Sequence, residues 1–129
     1  MHTVCFNADL CVMTKFSALI AGKWKPILLY LVQHGINRFN LMHGYMPTIS
    51  KKVLTEQLRE LEADGLLRRE ELKAKAPKVV VYYLTEKGAS LRLLIDEIIS
   101  WCMEHMKDEL PQELLAIFRQ SPPAFVQAQ

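Results

Sequence analysis

Ser50, Lys51, Lys52, Thr55 and Arg59 gather hydroxyls and cations in one short stretch, and Lys73, Lys75 and Lys78 follow further along. Groups of these types donate to phosphate oxygens and to base edges. Arginine can grip guanine bidentately, whereas lysine serves better as a point charge on phosphate. An ordinary solvated helix face is the competing reading, and Glu56, Glu60 and Glu62 in the same stretch support it. Other chemistry finds no constellation. Cys5, Cys11 and Cys102 form no C-x-x-C pair, and His2, His34, His43 and His105 lack a metal-ligand spacing, so no metal is expected. Gly22-Lys23 lacks the upstream glycine of a phosphate-cradling loop, and no Gly-x-Ser-x-Gly occurs. The acids read as helix-surface charges. Neither an enzyme nor a cofactor is expected.

The elements that carry these residues follow from periodicity and punctuation. Val12, Phe16, Leu19 and Ile20 predict a helix over Leu10 to Ala21, stopped by Gly22. A second helix starts near Pro26, carries the apolar positions Ile27, Leu28 and Leu31 on one face, and ends at Gly35. A short helix over Phe39 to Tyr45 closes at Met46-Pro47, because the residue before proline is steered away from helical geometry. Ser50 is suited to cap the next helix, which reaches about Asp64 and stops at Gly65. Leu54, Leu58 and Leu61 make its core stripe, which leaves Lys52, Glu56, Arg59 and Ala63 on the far side and Thr55 on the flank.

Two strands are expected over Leu66 to Leu72 and Lys78 to Leu84, joined by a basic tip, Lys73 to Pro77. Thr85 then caps a long helix bearing Leu91, Ile95, Ile98 and Cys102 in one stripe, with Leu94 and Trp101 beside it. A last helix over Pro111 to Gln120 leads to a flexible tail, 121–129. Three helices followed by a two-stranded basic hairpin is the order of a winged helix-turn-helix. The fold class expected is therefore mainly α with a small β-hairpin wing, in which one helix about 10–12 Å across enters a major groove about 12 Å wide.

Bulk properties agree. A chain of 129 residues that is 50% hydrophobic and 23% charged suits one domain, 1–129, with its core over about 11–105. The longest purely apolar run, Ile27 to Val32, is far short of the roughly 20 residues of a membrane span. The first residues carry no signal-peptide pattern, and an odd cysteine count argues against a disulfide scaffold, so a cytoplasmic location is expected. Residues 1–87 hold 13 Lys/Arg against 8 Asp/Glu, a balance of +5, while 88–129 hold 3 against 6, a balance of −3. An anionic partner would meet the first part.

Several ordered motifs resemble the HxlR-type, MarR-like transcriptional regulators. They are Gly22-Lys23-Trp24, Arg38-Phe39-Asn40, Pro47-Thr48-Ile49-Ser50, Leu54 through Leu61, Asp64-Gly65-Leu66, and Pro77 through Gly88, with Trp101 near the end. The resemblance spans roughly residues 11–105. It implies a homodimer, held by N- and C-terminal dimerisation helices, that binds double-stranded DNA at a palindromic operator, and it adds Arg38 to the DNA-contacting residues. Two departures stand out: Val12 rather than proline follows Cys11, and Val79 stands where the family tends to be basic, which leaves the wing's grip to Lys78 and Lys75.

Cys11 falls where the family's leading cysteine lies, and some members sense oxidants or electrophiles with that thiol. Such a role needs a lowered pKa and exposure, and a helix N-terminus helps the first. A purely structural Cys11 stays open beside that reading. Cys102 reads as a small core residue or as an intersubunit partner of Cys11, which would need α-carbons within about 7 Å. Cys5 reads equally well as an unpaired bystander. Two other functions remain open: a regulator sensing a small apolar ligand between dimer helices, and a winged-helix association module without DNA.

Overall fold

The computed structural model describes residues 11–72 and 76–112. Cys5, Lys73, Lys75, the 121–129 tail and nearly all of the helix expected over Pro111 to Gln120 lie outside the described residues. The order is α1 (Val12–Leu19), α2 (Lys25–Gln33), α3 (Phe39–Tyr45), α4 (Lys51–Ala63), β1 (Leu67–Glu71), β2 (Val80–Leu84), α5 (Glu86–Ala89), α6 (Arg92–His105) and a 3₁₀ turn at Lys107–Glu109. This is a winged helix-turn-helix: mostly helical, with one antiparallel hairpin in the register Leu67↔Leu84 to Glu71↔Val80.

Leu28, Leu29, Leu31 and Val32 of α2 meet Met42, Leu54, Leu58, Leu61, Leu66 and Tyr82 in one core. Each fully buried leucine contributes roughly 1.5–3 kcal/mol relative to an exposed one. Local chemistry sets the boundaries. Ser50 accepts from the Val53 N–H at 3.1 Å and so starts α4, while Gly65, at φ 77°, takes the left-handed position that ends it. Pro26 sits in the first turn of α2, where a missing N–H costs nothing.

One backbone bond ties the hairpin to the α2–α3 connection: the Tyr82 N–H donates to the Asn37 carbonyl at 2.9 Å. The segments Asp64-Gly65-Leu66 and Thr85 to Gly88 interlock as well. The Thr85 N–H donates to Leu66 O at 3.1 Å, the Thr85 hydroxyl to Gly65 O, and Lys87 Nζ to Asp64 O at 3.0 Å. A Cβ at Gly88 would lie 2.1 Å from Leu66 O, so only glycine permits this approach.

The long helix expected from Thr85 is two helices. Thr85 caps α5 by accepting from the Gly88 N–H at 3.0 Å, and α6 begins only at Arg92. The Ser90 hydroxyl donates to the Lys87 carbonyl, a local bond that competes with continued helix. The stripe on α6 is also only partly covered. Leu91 and Ile95 pack against the core, but Ile98 and Trp101 are exposed. Asp96 is the buried residue of that helix.

Candidate nucleic-acid interface

The turn between α3 and α4 is pinned from below. Met46 and Ile49 are buried, and the His43 ring Nε2 lies 3.0 Å from the Ile49 carbonyl. With Leu54, Leu58 and Leu61 also buried, α4 must present its other face outward. Ser50, Lys51, Lys52 and Arg59 are exposed there, and Thr55 is half-buried. The Thr55 hydroxyl donates to the Lys51 carbonyl at 2.9 Å, which leaves its oxygen free to accept. Arg38 is exposed at the N-cap of α3. Among the described residues, no ion pair engages Arg38, Lys51, Lys52 or Arg59. The arrangement offers unneutralised cations and hydroxyls on a helix of groove-fitting width.

The wing stem is built differently. Arg68 pairs with Glu70 at 3.0 Å and lies 4.9 Å from the Tyr83 ring centroid. Arg69 pairs with Glu71 at 3.3 Å, and Lys78 lies 3.8 Å from the same carboxylate. Val79 is half-buried, its carbonyl taken by the Leu72 N–H at 2.8 Å. Arg68 and Arg69 are cations that the motif reading passed over. Their signal was the alternation Arg-Arg-Glu-Glu, which sets i and i+2 partners on one strand face.

A further ion pair sits behind the interface. Lys25 Nζ contacts Glu60 Oε1 at 3.0 Å, joining the start of α2 to α4 across 35 positions of sequence. Nothing in the local pattern signals it.

The cysteines are separated. Cys11 takes the N-cap position of α1, is 4% exposed and is disulfide-bonded. Cys102 is a free thiol, half-buried on α6 and outside the core cluster. It lines an apolar cavity of about 420 Å³ between α1, α2 and α6, beside Phe16, Tyr30, Ile95 and Met103. At the α2–α6 junction Gln33 Nε2 donates to Asp96 Oδ1 at 3.0 Å, and the Tyr30 and His34 rings lie 4.5 Å apart. Burial holds the His34 imidazole below its ordinary range; Arg92 adds to that depression and Asp96 opposes it. Burial, followed by Asp96, pushes the Tyr30 phenol up. Among the described residues no group of three or more His, Cys, Asp or Glu is placed to hold a metal ion, and no helix is long and apolar enough to cross a membrane.

A buried turn, a helix with an outward polar face and an adjoining hairpin define a helix-turn-helix regulator. The HxlR-like helix-turn-helix family profile matches residues 19–110, and the chain belongs to that family. It is 42% identical over 88 residues to the HTH-type transcriptional regulator YtcD of Bacillus subtilis, covering 68% of this chain and 69% of YtcD. The reduced form of the redox regulator HypR superposes with TM-score 0.69 at 36% identity, over 76% of this chain and 98% of HypR. The reduced form of the transcriptional regulator YodB from B. subtilis gives TM-score 0.63 at 30% identity, over 74% of this chain and 93% of YodB. Fold and relatives are those of transcriptional regulators, not of enzymes.

Proposed function

We propose that the chain is a homodimeric regulator that reads a palindromic operator in double-stranded DNA through α4 and changes its grip when thiols are oxidised. The observation that carries the DNA reading is the face of α4 opposite Leu54, Leu58 and Leu61, where Lys52 and Arg59 stand exposed, with Lys51 exposed in the first turn beside it and none of the three in an ion pair among the described residues. Ser50, Thr55 and Arg59 are assigned to base edges and backbone, and Arg38, Lys51 and Lys52 to phosphates, with Lys73, Lys75 and Lys78 on the wing. Dimerisation is supported by the unburied apolar side chains Val12, Met13, Leu94, Ile98 and Trp101 on α1 and α6. Two α4 helices related by a two-fold axis would meet half-sites about 34–36 Å apart.

The redox reading rests on Cys11, whose disulfide at the start of α1 is the oxidised form of a thiol pair, and on the likeness to HypR, a redox regulator. A Cys11–Cys102 bridge between protomers would form by exchange: the Cys102 thiolate attacks Cys11, and the present partner leaves as a thiolate. The apolar cavity beside Cys102 favours a second reading, a small apolar effector that acts even on cysteine-free variants.

The test is fluorescence anisotropy against the chain's own promoter region and against scrambled DNA, at two salt concentrations, after dithiothreitol and after diamide. Selective binding that diamide alters in wild type but not in Cys11→Ser is expected. Selective binding indifferent to oxidation would transfer the regulation to the apolar effector. Binding no better than to scrambled DNA would overturn the operator reading and leave a protein-association module.

A further inference from the structure

We propose that Lys25 is a positioning residue for DNA reading: by holding Glu60 it sets the roll of α4, and with it the reach of Thr55 and Arg59. The inference rests on α4 being the recognition helix. Lys25 stands in the first turn of α2, its side chain only 7% exposed, with its ammonium on Glu60 Oε1 at 3.0 Å. Glu60 Oε2 accepts from Gln57 Nε2 at 3.4 Å, so the carboxylate is held on both oxygens.

An ammonium at that place is hard to explain as a stabiliser. A cation at a helix N-terminus opposes the helix dipole, and burying it costs solvation that a single carboxylate repays poorly. An apolar side chain would pack there at lower cost. What the pair adds is direction. The leucine stripe of α4 holds the helix by contact that has no preferred angle, whereas a charge-assisted hydrogen bond does.

Its location suits that task. At 100° per residue, Glu60 points about 110° away from the mean direction of Lys52, Thr55 and Arg59. Lys25 therefore restrains the flank of α4 away from the proposed DNA face and does not itself touch phosphate. Precision of roll matters because a 20° rotation moves a group about 6 Å from the helix axis by about 2 Å. That displacement exceeds the tolerance of a bidentate arginine–guanine contact.

The test compares wild type with Lys25→Met, Lys25→Arg, Glu60→Gln and Arg59→Ala. The probes are an operator selected from random duplexes and its single-base variants, read across a salt series with thermal unfolding alongside. Lys25→Met should fold, keep the wild-type salt slope and lose about tenfold in discrimination among base variants, while Lys25→Arg recovers most of it. Should Lys25→Met not fold, Glu60→Gln carries the test with the same expected loss. Unchanged discrimination, a salt slope smaller by about one, or an arginine no better than methionine would each overturn the proposal. If Arg59→Ala also leaves discrimination intact, the assignment of α4 itself falls. Discrimination lost in Arg59→Ala yet kept in Lys25→Met removes Lys25 alone.

Discussion

Replacing Gly88 by alanine adds a single methyl group at the junction that orients the wing on the recognition helix. In an open helix the change would help, since alanine is favoured over glycine by up to about 1 kcal/mol. Here the new Cβ would lie 2.1 Å from Leu66 O, 3.1 Å from Leu66 C and 3.3 Å from Leu84 Cδ2. The first two atoms are backbone and cannot swing aside, so α5 and β1 must part by roughly 1 Å. That movement breaks the Thr85 N–H bond to Leu66 O and strains the Thr85 hydroxyl bond to Gly65 O. Two bonds at about 1 kcal/mol each and an overpacking cost of about 1–3 kcal/mol, less the propensity gain, leave a net loss of about 2–4 kcal/mol. Gly44, inside α3 with nothing within 4 Å of an added methyl, makes the control, and alanine there should stabilise by up to about 1 kcal/mol. Thermal unfolding at fixed protein concentration reads both, with a fall on the order of 10 °C for Gly88→Ala and a rise of a few degrees for Gly44→Ala. A Gly88→Ala protein that melts at or above wild type would refute the account of this junction.

Other outcomes follow from single contacts. His34 has a folded pKa below its unfolded value of about 6.5, so the unfolded chain takes up the proton first and stability falls as pH drops below about 6.5. His34→Gln should therefore lose less melting temperature than wild type between pH 7.5 and 5.5, and parallel losses would exclude the histidine as the cause. Ser50→Ala removes the α4 cap and should cost about 1 kcal/mol in urea unfolding, whereas an unchanged midpoint would mean that water replaces the hydroxyl. Glu71→Gln releases Arg69 and Lys78 and should tighten binding to scrambled DNA at low salt; no change would show that these cations do not reach phosphate.

The helical parts of the fold were legible because punctuation and periodicity agreed. Ser50 before a Leu54, Leu58, Leu61 stripe and Gly65 after it leave little choice of boundary, and the outward placement of Lys52 and Arg59 follows from the same spacing. Beyond Thr85 the stripe alone suggested one helix, and the break at Ser90–Leu91 depends on Gly88 closing against Leu66, a contact far off in sequence. The same limit hid Lys25–Glu60, because a pair 35 positions apart leaves no periodic trace. Asp96 shows the converse: a carboxylate amid an apolar stripe reads as solvent-facing, yet Gln33 accompanies it into the α2–α6 junction.

The charge on the two halves of the proposed interface is organised for different roles. Among the described residues the α4 cations Lys51, Lys52 and Arg59 have no acidic partner within ion-pair distance, so meeting a phosphate costs them little beyond water and counterions. On the wing stem Arg68, Arg69 and Lys78 share Glu70 and Glu71, so each must exchange a carboxylate for a phosphate. Exposed pairs of this kind contribute only about 0.2–1 kcal/mol, so the exchange is easy, but the carboxylates remain nearby and repel the backbone they have been exchanged for. At long range Glu56, Glu60 and Glu62 balance the three cations of α4, so what sets the helix apart is that its cations are unpaired at contact distance, while the stem contributes shape and the Arg68–Tyr83 contact. Cations free of ion pairs on α4 and cations already paired on the stem favour docking in which phosphate contacts form on α4 first and on the wing afterwards. In that order, the roll of α4 governs which sequence is read.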